Sequence, residues 1–357
     1  MTKNESSKPK ALTCVESFCG PGGMGFGLRQ AGYDIKFAFD IDGPSVSTYN
    51  RNVGDHAVVA DAKAITPEEV LRRIGMGTGD VDLWAGGPPC QGFSKQKRGA
   101  HLGDDRNDLV SRYIELVNGV RPRAFILENV AVFGQKRGSK YIEEMGEVLH
   151  EYEISSHFYN CADYGIAQTR QRFVAVGVRR DLDVRFNPPK PTTSKWATVG
   201  SVLQGVPEPP LDYSTHPEYP NHQLARVTRV NVERFSHVPQ GGGWKDIPFD
   251  LRPPRHQRMD PSSGGWPDVY GRLCWDGQCP TITGGFDSFT RGRYGHPLRD
   301  RPITPYEAAR LQGFPHGYEF TGNREDVRSQ IGNAVPPPLA KAIGSRLRDL
   351  LLWRSGP

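Results

Sequence analysis

No run in these 357 residues approaches the roughly 18 consecutive apolar residues that a helix needs to cross a bilayer. Residues 1–10 are polar and lysine-bearing without an apolar centre, so neither a secretory signal nor an anchor is expected there. Cysteine is scarce. Its six copies, Cys14, Cys19, Cys90, Cys161, Cys274 and Cys279, form no CxxC and no paired Cys/His spacing of a zinc site. No metal is therefore expected, and a reduced, cytoplasmic protein without a membrane partner is the simplest account. There is no internal repeat. Charge excess is small: a net +5 with pI near 8.8 is compatible with a polyanionic partner but does not specify one. What remains is a chain long enough to bury a substantial core as one large domain or two lobes.

One short stretch organises the rest. Val81-Asp82-Leu83-Trp84-Ala85 reads as a buried strand, and Gly86-Gly87-Pro88-Pro89-Cys90-Gln91-Gly92-Phe93-Ser94 stops it abruptly. Two prolines fix the backbone direction just before Cys90. A polar, basic loop follows, with Lys95, Lys97 and Arg98, before a helical pattern starts near Asn107. A thiol on a rigid strand end beside positive charge favours the thiolate, and hence a nucleophile; a buried structural cysteine is the alternative.

Earlier in the chain, Leu12 to Phe18 reads as a first strand running into Cys19-Gly20-Pro21-Gly22-Gly23-Met24-Gly25. Glycines there let the backbone turn tightly and approach a ligand at a helix N-terminus. Gly20, Gly22 and Gly25 also fit G-x-G-x-x-G with an acid, Asp40, about twenty residues on, so an NAD-dependent oxidoreductase is a rival reading. Phe18 directly before the glycines, and the lack of an obvious hydride-transfer site, weigh against it. Asp40 and Ile41 end a second strand, where an acid suits a ribose diol and an apolar side chain an adenine ring. Val58-Val59-Ala60-Asp61 repeats the pattern at a third strand end; Asp61 suits an exocyclic amine or caps the next helix. Alternating strands and helices with polar strand ends predict a doubly wound parallel sheet with its ligand at those ends.

Arg123-Ala124-Phe125-Ile126-Leu127 predicts a strand ending in Glu128-Asn129-Val130. A carboxyl after four apolar residues is partly desolvated and able to donate a proton, unless it is a solvated strand-end glutamate. Gln168, Arg170 and Arg172 share one face of an extended segment by the two-residue period. Two guanidiniums on one face suit a carboxylate, a phosphate or a base carbonyl, or else decorate a solvated edge. Composition then shifts. Residues 181–280 hold 15 of the 30 prolines and 4 of the 6 tryptophans, and arginine outnumbers lysine eight to three while acids and bases balance at 11 each. Arg252, Arg255, His256 and Arg258 lie near Trp244 and Trp266, a mixture suited to groove reading and phosphate contact, or to a protein interface. Near the end, Thr304-Pro305-Tyr306-Glu307 predicts a capped short helix closed by Gly313. Gln330 to Pro337 introduces an amphipathic helix through Leu339, Ile343, Leu347 and Leu351.

The stretches Phe-x-Gly-x-Gly-Gly, Pro-Pro-Cys, Glu-Asn-Val, Gln-x-Arg-x-Arg, Glu-Ala-Ala-Arg-Leu-Gln-Gly-Phe-Pro and Gly-Asn-Ala-Val-Pro occur in the order and spacing of the cytosine-5 DNA methyltransferases, from Val15 to about Leu347. The chain resembles that family, of the bacterial restriction-modification type. Two departures are Asp40, where many relatives have Glu, and Ala167, where proline is usual.

The resemblance implies an α/β fold: a Rossmann-like sheet of the S-adenosylmethionine-dependent methyltransferases with a smaller, loop-rich target-recognition lobe inserted. The catalytic, cofactor-binding part would span 11–188 and 326–357, with the recognition lobe and hinge at 189–325. Phe18, Gly20, Gly22, Gly23, Asp40, Ile41, Asp61, Ala62, Pro88, Leu109, Asn333 and Val335 stand at the family's positions for S-adenosylmethionine. Cys90 would add to C6 of cytosine and Glu128 would engage N3. Arg172 would bind O2, Arg170 would hold the catalytic residues, and Asn129 would position the loop; Gln91 belongs to the same catalytic set. The base would have to flip out of double-stranded DNA. Lys95, Lys97 and Arg98 would meet phosphates, while Arg252, Arg255 and Arg258 would read the site. A monomer is expected, with room for a cognate restriction endonuclease that it need not touch. A tRNA cytosine-5 methyltransferase on the same catalytic domain is the nearer alternative, although the long insert favours duplex DNA.

Overall fold

The computed structural model of the protein describes residues 11–89, 108–135, 138–260 and 266–353. The first half alternates strand and helix as its hydrophobic pattern predicts: β1 (Leu12–Ser17), α1 (Gly23–Gln30), β2 (Tyr33–Asp40), α2 (Gly43–Asn52), β3 (Ala57–Val59), α3 (Pro67–Ile74) and β4 (Leu83–Gly86). Then come α4 (Asp108–Val120), β5 (Ala124–Val130), α5 (Ser139–Val148), β6 (Tyr152–Asn160), β7 (Gln168–Thr169) and β8 (Gln171–Arg179). Seven strands form one sheet in the order β3-β2-β1-β4-β5-β8-β6.

Successive residues of a strand face opposite sides, and each side buries its own layer. Cys14 and Ile126 point into a core shared with α1 and the terminal helix α11 (Pro337–Trp353), through Leu28, Leu339, Ile343 and Leu347. Val15, Phe125 and Leu127 point into the other, with Val70 of α3, Tyr113 of α4 and Met145 of α5. Helices α1 and α11 approach so closely that a Cβ on Gly27 would lie 2.7 Å from that of Ala340.

The sheet is not wholly parallel, as the alternation alone predicts. β8 runs antiparallel to both β5 and β6. Only residues 161–170 join β6 to β8, too few for the crossover that a parallel pair requires. β5 ends as expected in Glu128, Asn129 and Val130, with Glu128 and Asn129 paired with Val174 and Phe173.

After β8 regular structure thins to α6 (Val199–Leu203), α7 (Arg229–Ser236), α8 (Pro254–Gln257) and β9 (Cys279–Pro280), the last pairing with β7. This loop-rich insert has a core of its own around Phe235, Trp244, Ile247, Tyr270 and Phe289. A further core layer joins it to α9 (Pro305–Leu311) and α10 (Arg324–Asn333), through Leu273, Ile282, Leu311, Phe314 and Ile331. α9 has the expected caps: Thr304 Oγ1 accepts from Glu307 N–H at 3.2 Å, and Glu307 Oε2 accepts from Thr304 N–H at 2.8 Å. The sequence pattern does not separate α10 from α11. Gln330 to Asn333 complete α10, and the chain breaks before Pro337 begins α11. Among the described residues, no helix is long and apolar enough to cross a membrane.

Candidate active site

Strand register assembles the site. Ser17 of β1 lies beside Gly86 of β4, and Gly86 beside Leu127 of β5. The residues that follow in each strand (Phe18, Gly87 and Glu128) are thereby brought to one edge. Strand order reverses between β1 and β4, which opens a crevice there. Gly86 permits the approach: a Cβ would fall 2.6 Å from Ser17 Oγ.

On one side of the crevice the chain turns sharply. Phe18 holds φ +52°, a left-handed conformation costing a bulky residue about 1–3 kcal/mol and characteristic of functional turns. Gly22, at φ +91°, has no space for a side chain, since a Cβ would fall within 3.0 Å of Val53, Tyr318 and Tyr49. Gly20, at φ +50°, opens onto free space. α1 then begins at Gly23 without a cap from the residue before it; the Gly25 N–H goes to Glu16, which leaves those of Gly23 and Met24 at the first turn for a ligand. Asp40 ties the turn to the next strand: its Oδ2 accepts from Gly20 N–H at 2.8 Å and its Oδ1 from Asp42 N–H at 3.0 Å. Burial raises the Asp40 pKa against those bonds. Beyond it, Ile41 and Val59 are 69% and 59% exposed, apolar side chains at two adjacent strand ends.

The carbonyl of Val335 abuts Gly23, where a Cβ would strike it. Asn333 is exposed and donates to Ser329 Oγ at 3.2 Å. Pro88 and Ala62 are buried, and Leu109 packs half-buried on the core. Asp61 Oδ1 accepts from Lys63 N–H at 2.9 Å in a local turn, and the helix it is expected to cap in its alternative role, α3, is capped by Thr66 instead. Sequence reasoning passed over Glu16. It is 1% exposed beneath the glycine turn, accepting from Gly25 N–H at 3.1 Å and from Tyr49 Oη at 3.0 Å. Burial pushes its pKa up to about 8. An acid inside the apolar run of β1 was the available signal.

On the other side stands Glu128, 8% exposed, with its Oε1 paired to Arg172 Nε at 2.7 Å. Burial raises its pKa, while Arg172 and then Arg170 pull it down. A Cβ on Gly87 would lie 3.2 Å from Glu128 Oε2, so this second oxygen faces the strand end that leads to Cys90. Asn129 Nδ2 donates to Pro88 O at 3.0 Å, fixing the same turn. Cys90, Gln91, Lys95, Lys97 and Arg98 lie outside the described residues. Of the described cysteines, burial pushes the thiols of Cys14, Cys19, Cys161 and Cys279 up and away from the thiolate.

Gln168, Arg170 and Arg172 are buried while Thr169 and Gln171 between them are exposed, so the three share one face as their spacing predicts, although their partners differ. β7 ends at Thr169 and β8 begins at Gln171, so the chain changes sheets at Arg170. Arg172 goes to Glu128, whereas buried Arg170 donates to the carbonyls of Ile282 at 2.9 Å and Gly332 at 2.8 Å. Gln168 is buried as well and accepts from Ile282 N–H at 3.1 Å.

Residues 12–349 match the family model described as C-5 cytosine-specific DNA methylase. The chain belongs to this family. It is an enzyme, a DNA (cytosine-5-)-methyltransferase. The methylase is 32% identical to the type II methyltransferase M.BbvI of Brevibacillus brevis, over 92% of this chain and 88% of that one. It is also 32% identical to M1.HphI of Haemophilus parahaemolyticus, over 93% and 86%. Among solved structures, an E. coli prophage-encoded protein assigned as a DNA modification methyltransferase superposes with a TM-score of 0.74 at 25% identity, covering 96% of this chain and all of that one. The Schizosaccharomyces pombe Dnmt2 methyltransferase shares the fold at a TM-score of 0.58 and 19% identity, over 97% and 100%.

The arginines of the methylase's insert divide into two kinds. Arg252, expected to face DNA, donates instead to Ile247 O at 2.8 Å and Lys245 O at 2.6 Å, and lies over the ring of Trp244. Its guanidinium is committed to the lobe's own turn. Arg255 and Arg258 are exposed on and just beyond α8 and make no ion pair or hydrogen bond among the described residues. His256 between them is buried against Trp244, ring centroids 4.8 Å apart. Among the described residues of the methylase, no group of three His, Cys, Asp or Glu side chains could hold a metal ion.

Proposed function

We propose that this enzyme transfers a methyl group from S-adenosylmethionine to C5 of a cytosine flipped out of a specific duplex DNA sequence, through a covalent Cys90–C6 intermediate. The observation that carries the reading is Glu128: a buried carboxyl, held by Arg172 through one oxygen, with the other turned toward the backbone that leads to Cys90.

The crevice fits the donor. Its glycine turn opens at Gly20, α1 offers the N–H groups of Gly23 and Met24, Asp40 stands at a strand end and Ile41 is exposed beside it. Phe18, Gly20, Gly22 and Gly23 would line the turn; Asp40 would take a ribose hydroxyl and Ile41 the adenine face. Asp61, Ala62, Pro88, Leu109, Asn333 and Val335 would complete the enclosure. When bound, S-adenosylmethionine supplies an electrophilic methyl group.

C5 of cytosine is a poor nucleophile. Addition of the Cys90 thiolate at C6 moves electron density onto C5, while Glu128 donates a proton or hydrogen bond at N3. Desolvation favours the protonated carboxyl that this step needs. Arg172 orients Glu128 and meets O2 of the base. Once C5 carries the methyl group, it loses its proton and the thiolate departs by β-elimination. Asn129 holds Pro88 and so the course of the loop, with Gln91 beside the nucleophile. A stacked base cannot be reached in this way, so the cytosine must leave the duplex. Lys95, Lys97 and Arg98 would contact phosphates, and exposed Arg255 and Arg258 would face DNA. In this reading 11–188 and 326–357 form the catalytic part and 189–325 the recognition lobe and hinge.

The names of the type II relatives support a restriction-modification setting, with a cognate endonuclease acting on the same site. Bisulfite sequencing of plasmid DNA from expressing cells is the test: protected cytosines within one recurring sequence are expected. Absence of protection, with methylation of tRNA instead, would overturn the DNA assignment.

A further inference from the structure

α10 lies between α2, Arg170 and the insert. At its C-terminal end, the carbonyls that a helix leaves unpaired are taken by side chains from elsewhere. Gln312 Nε2 donates to Ile331 O at 2.7 Å and Ala334 O at 3.0 Å, and Arg170 donates to Gly332 O. The next residue, Val335, presses its carbonyl on Gly23 of the glycine turn. Toward the cofactor's other flank, Gln330 Oε1 accepts from Thr48 Oγ1 of α2 at 2.7 Å.

The same helix is fastened to the insert. Gly332 packs on the backbone of residues 283–284, where a Cβ would lie 2.6 Å from the Thr283 carbonyl carbon. The insert's Asp287, 5% exposed, reaches back to two arginines of α10: Oδ2 to Arg324 Nε at 2.6 Å and Oδ1 to Arg328 Nη1 at 3.2 Å. Arg324 also donates to Leu224 O at 2.9 Å, so the clamp gathers two separate stretches of the insert.

We propose that Asp287 is a positioning residue that clamps α10 to the insert, so that the insert's hold on DNA and the crevice's hold on the cofactor are energetically coupled. The inference rests on the function proposed above. A shift of the insert on binding DNA moves Asp287, and with it the helix whose end supports Gly23 and whose Gln330 supports α2. Coupling is reciprocal, so cofactor binding tightens DNA binding by the same factor. Asp287 touches neither ligand; its effect passes through α10.

The test is calorimetric titration of the full-length enzyme with S-adenosylhomocysteine, with and without a duplex carrying the methylated site. In the wild type, DNA should tighten binding within the usual coupling range of about 5–150-fold. In Asp287→Asn the factor should fall toward one, while affinity without DNA stays the same. Arg328→Met leaves the Arg324 pair intact, serves if Asp287→Asn does not fold, and should lose part of the factor; Arg328→Lys should recover it. Turnover should show raised KM for cofactor in the presence of DNA, with kcat kept at saturation. A wild type that binds both ligands without coupling, or variants that keep the full factor, would overturn the inference alone. A wild type that binds neither ligand would overturn the proposed function and this inference with it.

Discussion

The sheet and the insert solve the same problem by different means. Each must pair its buried backbone carbonyls and N–H groups. In the sheet the ladder does so: β5 and β8 alone align seven residue pairs from Ala124↔Val178 to Val130↔Arg172. Among its described residues the insert has no ladder of that length, and arginine takes its place. Arg272 lies over the Phe235 ring and donates to the carbonyls of Val238, His296, Arg299 and Phe235, besides pairing Asp300. Arg293 donates to Gly241 and Gly242, Arg234 to Leu251, and Arg252 to Ile247. A planar fork of five donors can gather several carbonyls at once, which lysine cannot. An arginine-rich, proline-rich segment is therefore not in itself a nucleic-acid surface; much of its charge is scaffolding.

The largest expected effect lies in the sheet half. Cys90→Ser should lose turnover by several orders of magnitude while binding cofactor and DNA, because a serine hydroxyl is scarcely ionised at neutral pH. Duplex DNA containing 5-fluorocytosine should trap the wild type covalently, since fluorine cannot leave C5 as a proton does. Equal trapping of the serine variant would remove Cys90 from the mechanism.

Next comes the insert's largest strut. Arg272→Met keeps much of the apolar stem and leaves half-exposed Asp300 to solvent, but strands four carbonyls, and each buried acceptor left unsatisfied costs about 1–3 kcal/mol. Urea unfolding should show that loss, and hydrogen exchange should place it within residues 229–300 while the sheet stays protected. A uniform loss across both regions would mean that the insert has no separate stability.

Glu16 gives the sheet half a matching test in pH. Its folded pKa near 8 lies above the ordinary 4.5, so the folded protein holds the proton more tightly than the unfolded chain. That stabilisation is complete below about pH 4.5 and is lost as pH rises through 8. Glu16→Gln keeps a neutral group able to accept from Gly25 N–H and donate to Tyr49. Its stability should vary less between pH 5 and 9, and above pH 8 should exceed the wild type by about 3–5 kcal/mol at most. Parallel stability curves for the two proteins would contradict the burial argument.

Local signals were legible in the sequence and long-range ones were not. The caps of α9 lie within four residues, and both hydrogen bonds form as read. β1 and β5 announce themselves by apolar runs. The reversal of β8 is implied by the short 161–170 connection, but only once both strands are known. α10 escaped because only Val327 and Ile331 are apolar among its ten residues, and the rest of its buried face is Gln330 and Gly332, so the sequence shows little periodic contrast. The division of Gln168, Arg170 and Arg172 depends on where Ile282 and Gly332 fall, over a hundred residues away in the chain. Glu128 and Asn129 were legible as candidates, yet the Arg172 pair and the Pro88 contact belong to the folded register alone.

The smallest effect separates the two kinds of arginine within the insert. Arg255 is exposed without a partner among the described residues, whereas Arg252 secures the turn at 245–247. If Arg255 makes a bidentate contact to a guanine, Arg255→Ala should cost about 1–3 kcal/mol of discrimination at one position of the site, with unfolding and cofactor affinity unchanged. If it meets a phosphate instead, the same change should weaken all sequences alike and flatten the salt dependence of binding. Arg252→Ala should do neither first: it should lower stability by about 1–3 kcal/mol by stranding two carbonyls, and weaken DNA binding only as the turn loosens. Binding of each variant to a panel of single-base variants of the site, beside its urea midpoint, separates the cases. A selective loss at one base from Arg252→Ala at full stability would show that its scaffold role is incidental. It would restore Arg252 as a reader of DNA.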